Sequence, residues 1–289
     1  MNRNQDRTIL VTGATGHQGG AALRHLKQRG FTVRALTRDP DKPEARRLDT
    51  AGTEVVKGDQ DDPASLTRAL DGISGVYSVQ DSKAGFDSEV RRGVNVADAA
   101  NRSRIDHLVY SSVASADANT GIPHFDGKAR IEEPVRNTDL RYTILRPVFF
   151  MENLLGMRQA IGQGTLAMPL SPETRLQLIA VDDIGAFAGM AFEHPGHWNS
   201  RVIELAGDEL SMLEIADTLS RNTGHPVRYV QVPWDDFETK AGKEMATMFR
   251  WFESEGYRVD IPSVRAEHES LLGFSHWLNT TWQPAGQAA

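Results

Sequence analysis

Glycines at Gly13, Gly16 and Gly19 lie between the apolar run Ile9-Leu10-Val11-Thr12 and a helical pattern over Ala21–Gln28. No other feature restricts the fold of this chain as much. Glycine leaves the backbone bare, so a phosphate can come close. The first turn of the following helix adds N–H groups without intrahelical partners and a positive potential. Strand, glycine turn and helix in that order open the nucleotide-binding half of an α/β protein. The alternative is a tight strand-to-helix turn that holds no ligand.

The rest of the first half keeps the same rhythm. Short apolar runs at Thr8–Thr12, Thr32–Thr37, Thr53–Lys57, Gly75–Val79, His107–Ser112 and Tyr142–Arg146 alternate with helical patterns. That is how a parallel sheet covered on both faces reads. The expected fold class is α/β, a Rossmann-type doubly wound parallel sheet with a smaller α/β C-terminal domain. The expected boundaries are 1–152 and 153–289, with an alternative in which segment 175–206 returns to pack on the Rossmann sheet. Beyond Pro147 the sequence predicts a helix near Asn153–Ile161, a strand near Leu176–Val181 and a helix from Asp182. It then predicts strands near Val202–Leu205 and Val227–Val232 flanking a helix Ser211–Asn222, which Ser211 and Glu214 open as a capping box. Met245, Met248, Phe249, Trp251 and Phe252 form an apolar cluster that reads as core packing, or as the wall of a ligand pocket.

Composition narrows the function. With 32 Lys and Arg against 39 Asp and Glu, the net charge is −7, which argues against direct nucleic-acid binding. The absence of cysteine removes disulfides, thiolate nucleophiles and thiolate metal sites. No run approaches a membrane span, and no apolar leader precedes the first strand, so the expected location is cytoplasmic. His194 and His197 flank Pro195-Gly196, which reads as a surface turn, and no metal site is expected.

The choice of dinucleotide follows from the residues after the second strand. In NAD-preferring folds an acidic residue there takes the adenosine ribose hydroxyls. Here the chain reads Thr37-Arg38-Asp39-Pro40. The Arg38 guanidinium suits a 2′-phosphate, and Lys42 adds a second cation, so the expected cofactor is NADP(H). Asp39 is the counterweight, as a ribose ligand or a neutraliser of Arg38. After the third strand, Asp59 and Gln60 are assigned to the adenine, and Asp62 to capping the helix that begins at Pro63.

The glycine spacing is the variant of extended and atypical short-chain dehydrogenase/reductases. Taken with Thr37-Arg38, Gly58-Asp59-Gln60-Asp61-Asp62, His124-Phe125-Asp126-Gly127-Lys128 and Glu152-Asn153-Leu154-Leu155, it makes the chain resemble the NmrA-like family. The resemblance runs nearly end to end. It implies that Gly13, Ala14, Thr15, Gly16, His17, Gln18 and Gly19 wrap the pyrophosphate and that Arg38 and Lys42 flank the 2′-phosphate. It places Val79 and Gln80 near the cofactor, with Lys128, Phe150 and Asn153 toward the nicotinamide; Arg91 and Arg92 read as phosphate contacts or as a solvated helix face, and the resemblance favours Arg91 as a contact.

The family contains cofactor-sensing regulators as well as reductases. Catalytic short-chain enzymes carry Tyr-x-x-x-Lys on one helix face, where the lysine lowers the tyrosine pKa. This chain has His124-x-x-x-Lys128. At the place of the usual substrate-binding hydroxyl stands Val113, with Ser111 or Ser112 as substitutes if the register shifts. The first reading is therefore an NADP(H)-binding redox sensor or regulator, in which a loop such as Asp81–Asp87 responds to the cofactor and a protein partner reads the change. The alternative is an NADPH-dependent oxidoreductase that reduces a small-molecule carbonyl, quinone, imine or activated alkene, with Lys128 and His124 as the catalytic candidates.

Overall fold

The computed structural model describes residues 4–81 and 85–282, so residues 82–84 of the Asp81–Asp87 loop lie outside the described residues. The chain divides into two compact units. The first comprises residues up to Ala118, Pro123–Arg146 and Val181–Ile203. The second comprises Asn119–Ile122, Pro147–Ala180 and the chain from Glu204 onward.

The first unit is built on strands β1 (Thr8–Val11), β2 (Thr32–Thr37), β3 (Glu54–Lys57), β4 (Gly75–Ser78), β5 (His107–Ser111) and β6 (Arg141–Pro147). Between them run helices α1 (His17–Gln28), α2 (Pro43–Thr50), α3 (Pro63–Ala69), α4 (Phe86–Ser103) and α5 (Pro123–Arg136). Strand Arg201–Leu205 adds a seventh member, giving the order Arg201–Leu205, β6, β5, β4, β1, β2, β3. Its direction follows from two bonds: Ser200 N donates to the Tyr142 carbonyl and Val148 N to that of Leu205, so both strands run the same way. Ile9, Leu10 and Val11 are at most 1% exposed, which is why β1 reads as an unbroken apolar run rather than an alternating one.

Sheet order reverses at β1, where β2 lies on one side and β4 on the other. Register pairs Val11 with Ala35 and with Tyr77. The turn at Gly13, the loop at Arg38 and the segment Val79-Gln80 therefore leave the same carboxyl edge of the sheet, at its topological switch point.

The stretch Val181–Ile203 belongs to the first unit although it lies far beyond β6 in sequence. Helix Val181–Glu193 buries Ile184, Phe187 and Ala188. It is tied to α1 by His25–Asp182 at 2.9 Å and Arg29–Glu193 at 3.2 Å. The hydrogen bond from His25, helped by Arg24, lowers the Asp182 carboxyl pKa to about 2. Segment 175–206 does not move as one piece, because strand Arg175–Ile179 pairs with Phe149–Phe150 and Asp208–Ser211 in the second unit.

In the second unit the capping box of Ser211 and Glu214 opens helix Met212–Thr223. Helix Lys243–Ser254 sets Phe249 and Phe252 edge-on against Phe149 at 6.2 and 6.1 Å. Met248, Phe249 and Phe252 of the cluster are thus core, whereas Met245 is exposed and Trp251 half-buried. The helix expected over Asn153–Ile161 is a 3₁₀ segment, Met151–Met157, followed by a short α-helix, Arg158–Gly162. Gly156 interrupts the pattern there, and glycine is a weak helix former. Among the described residues no helix is long and apolar enough to cross a membrane.

Candidate functional site

The glycine turn is rigid at its base and open at its rim. Thr12 Oγ1 accepts from Val79 N at 2.8 Å and donates to the Val79 carbonyl at 2.9 Å, which fastens the end of β1 to the end of β4. Gly13 has φ +61°, and a Cβ on Gly19 would lie 2.2 Å from the Gly13 carbonyl oxygen. No side chain fits at Gly19, so α1 starts hard against the turn. Gly13, Thr15, Gly16 and His17 are exposed, whereas Ala14 and Gly19 are buried. Helix α1 has no side-chain N-cap bond and no acidic residue in its first turn. Its first N–H groups are accordingly free for an anion.

Around the adenosine assignments the charges sort themselves. Arg34 pairs with Glu54, Arg46 with Asp41 and Arg47 with Glu44. Arg38 and Lys42 are exposed and, among the described residues, have no ion-pair partner. Asp39 does not neutralise Arg38; its Oδ1 accepts from Asp41 N at 3.1 Å. Asp59 Oδ1 accepts from Asp61 N, and Asp62 caps α3 by accepting from Ala64 N. Gln80 donates to Ser78 Oγ at 2.9 Å and to Gln60 Oε1 at 3.3 Å. The Gln80 Oε1 itself is buried without a hydrogen-bond partner. Arg91 and Arg92 both pair with Asp61, at 2.8 and 2.7 Å, and hold its carboxyl below the usual range. Arg91, the favoured phosphate contact, is thus committed to that carboxylate.

Farther along the sheet the polar groups pair with one another. Ser111 Oγ donates to Gln18 Oε1 at 2.6 Å, and Ser112 Oγ to Glu132 Oε1 at 2.6 Å. Arg146 forks onto both Glu132 oxygens at 2.8 Å, Arg136 adds a bond at 2.7 Å, and Arg146 also reaches Asp117 at 2.9 Å. Glu132 and Arg146 are buried, so this cluster is a charged core. The ion pairs hold the Asp117 carboxyl low. Lys128 is not the solvated helix lysine that its type suggests: its Nζ lies 2.8 Å from Glu89 Oε1. His124, one turn earlier on α5, is half-buried against the edge of Phe125 at 4.9 Å.

Phe150, half-buried, and Asn153, exposed, belong to the second unit, where Phe150 pairs with Ile179. Among the described residues no group of three or more His, Asp or Glu side chains converges as metal ligands would. His194, Gly196 and His197 are exposed, and Pro195–Trp198 forms a short helix with His194 at its N-cap position and no side-chain cap bond.

Sequence reasoning missed Glu89 and Glu132. The signal was present. On α4 the buried residues Glu89, Gly93, Val96, Ala97 and Ala100 form one stripe, and on α5 so do Phe125, Lys128, Ile131, Glu132 and Val135. A charged residue in phase with an apolar stripe is a buried charge and needs a partner.

A parallel sheet of this order, with an uncapped helix behind a glycine turn at its switch point, defines a Rossmann-type protein of the dinucleotide-binding class. Residues 5–278 match the NmrA-like family, and the chain belongs to it. An NAD(P)H azoreductase of Xenophilus azovorans is 32% identical over 225 residues, covering 78% of this chain and 77% of the relative. Among solved structures, the triphenylmethane reductase of Citrobacter sp. complexed with NADP(H) superposes with a TM-score of 0.82 at 22% identity, covering 94% of this chain and 99% of the other. NmrA, a negative transcriptional regulator in complex with NADP, superposes with a TM-score of 0.80 at 21% identity, covering 96% of each chain. At such identities these likenesses establish the fold.

Proposed function

We propose that this protein binds NADP(H) and reduces electron-poor conjugated acceptors, such as quinones or azo compounds, without a tyrosine acid. The observation that carries the reading is a contrast in commitment. Arg38, Lys42 and the first turn of α1 are open, whereas Ser111, Ser112 and Lys128 have internal partners and His124 stands where a tyrosine would be.

The residues present fit the cofactor. A pyrophosphate would lie at the N–H groups of Thr15, His17 and Gln18, since that of Gly16 donates to the Gly13 carbonyl at 2.9 Å, and any side chain on Gly19 would displace the turn. Arg38 and Lys42 would hold a 2′-phosphate, and Asp59, Gln60 and the unpartnered Gln80 Oε1 face the polar demands of an adenosine. Lys128, ion-paired with Glu89, would donate to ribose hydroxyls. When bound, NADPH supplies a hydride.

The chain's own contribution then depends on where the proton comes from. A simple aldehyde becomes an alkoxide as hydride arrives and needs an acid in place. A quinone places the incoming pair on a conjugated oxygen that can take its proton from water, so the acid is dispensable. Kinship with an azoreductase at 32% identity supports the same acceptor class.

The test is NADPH oxidation against a panel of quinones, azo dyes, aldehydes and imines. Turnover is expected with the first two and not with simple aldehydes. His124→Phe is expected to slow quinone turnover by less than about threefold, because a working general acid contributes about 100-fold or more. A loss of that larger size would make His124 the proton donor. Tight NADPH binding without turnover of any acceptor would replace this reading with the second one, a cofactor-sensing regulator, which the fold likeness to NmrA favours.

A further inference from the structure

We propose that Glu89 is a positioning residue that fixes the Lys128 ammonium for the nicotinamide half of the cofactor; the inference rests on the NADP(H) reading above. Both residues sit on the apolar stripes through which α4 and α5 meet. The helices approach closely because Gly93 faces Ile131, where a Cβ would come within 2.5 Å of Cδ1. That approach brings Lys128 Nζ to 2.8 Å from Glu89 Oε1, with the side chains 11% and 1% exposed.

Removing a carboxylate from water is costly unless a cation compensates it, and Lys128 compensates this one. The reverse holds as well. A lysine on a four-carbon stem samples many rotamers, and a buried carboxylate on the neighbouring helix selects one. The ion pair holds the ammonium beside Glu89 at 2.8 Å and leaves its N–H groups for hydroxyl acceptors. The pair is also electrically neutral, so Lys128 donates hydrogen bonds without presenting a net positive charge.

That neutrality has a redox consequence. An oxidised nicotinamide ring is a cation and a reduced one is not. With Glu89 in place, the Lys128 charge opposes neither. Without it, an uncompensated ammonium disfavours the oxidised form, an effect expected at about tenfold for two charges separated by one ring width in a partly buried site.

The test titrates the full chain with NADPH, NADP⁺ and adenosine 2′,5′-bisphosphate, which lacks the nicotinamide half. Glu89→Gln is expected to weaken NADP⁺ about tenfold and NADPH about threefold, and to leave the bisphosphate unchanged, with Glu89→Asp recovering most of the loss. An equal loss across all three ligands would reduce Glu89 to a structural role, and no loss would remove it from the site. If Glu89→Gln folds poorly, the double variant Glu89→Gln/Lys128→Met has no buried charge at this pair. Its NADPH affinity should match that of Lys128→Met alone, and a further loss of NADPH affinity would overturn the proposal. Failure of the unaltered protein to bind NADPH or the bisphosphate would instead defeat the cofactor reading, and this inference with it.

Discussion

The two ends of the carboxyl edge of the sheet use polar residues in opposite ways. Beyond β1 and β2, the Arg38 and Lys42 side chains are exposed and the first turn of α1 has no side-chain cap on its N–H groups. Beyond β5 and β6, Glu132 is shared by Ser112 and Arg146, Ser111 donates to Gln18 and Lys128 pairs with Glu89, all inside the protein. The first arrangement is that of a binding surface, in which desolvation is deferred until a ligand arrives. The second is that of a scaffold, in which charge has already been compensated. On the reading proposed above, the cofactor is gripped at the open end, while at the other the hydroxyls and carboxylates are already paired within the protein.

The largest expected effect is at the closed end. Glu132→Gln takes the buried carboxylate away from Arg146, and loss of one partner from a buried pair costs about 3 kcal/mol or more. Denaturant unfolding should show that loss, while adenosine 2′,5′-bisphosphate affinity in the folded protein stays within about twofold. A parallel collapse of that affinity would mean that the two ends are not independent.

At the open end, Gly19→Ala forces a Cβ to 2.2 Å from a backbone oxygen, so the turn must shift. NADPH affinity is expected to fall at least about 100-fold, equivalent to about 3 kcal/mol. An unchanged affinity by fluorescence titration would remove the glycine turn from the site.

A third test concerns the strands that carry the closed end. Thr143 Oγ1 donates to the Trp198 carbonyl at 2.8 Å, so it accepts from His107 Nε2, also at 2.8 Å. The other ring nitrogen, Nδ1, is buried without a partner. Burial, reinforced by Arg7 and Arg141, lowers the His107 pKa to about 4. In the unfolded chain this histidine titrates near 6.5. Between these values the unfolded state binds the extra proton, so stability is full above about pH 6.5 and falls as pH drops toward 4, by up to about 3 kcal/mol. His107→Gln should flatten that slope in urea unfolding followed across the range. An unchanged slope would place the acid sensitivity elsewhere.

The smallest effect should be the most selective. Arg38→Ala is expected to weaken NADPH about 10- to 30-fold and leave NADH unaffected, since a charge-assisted bond to phosphate is lost and nothing else is touched. An equal loss for both dinucleotides would separate Arg38 from the 2′-phosphate.

Much of this architecture was legible in the residues. The six strands of the first half came from short apolar runs because both faces of the sheet are covered, and the glycine spacing reported a close backbone approach that leaves no alternative at Gly19. Asp62 announced its cap by preceding Pro63. Pairings across sequence distance were not legible. Arg91 and Arg92 resemble phosphate ligands until Asp61 is seen between them, and a glutamate such as Glu89 reads as solvated unless its helical phase is compared with that of the apolar residues around it. The return of Val181–Ile203 to the first unit was legible only as an alternative for segment 175–206, because its helix and strand have the local pattern of any other pair.

That return has a consequence for biosynthesis. A nascent chain that has emerged only through β6 presents a sheet with a bare edge and an α1 whose covering helix is still inside the ribosome. Unpaired strand edges and uncovered apolar faces are what chaperones recognise and what aggregates. Fragments that stop near residue 152 should therefore accumulate as insoluble or chaperone-bound species, and the fold of the first unit is completed only after about fifty more residues have been translated.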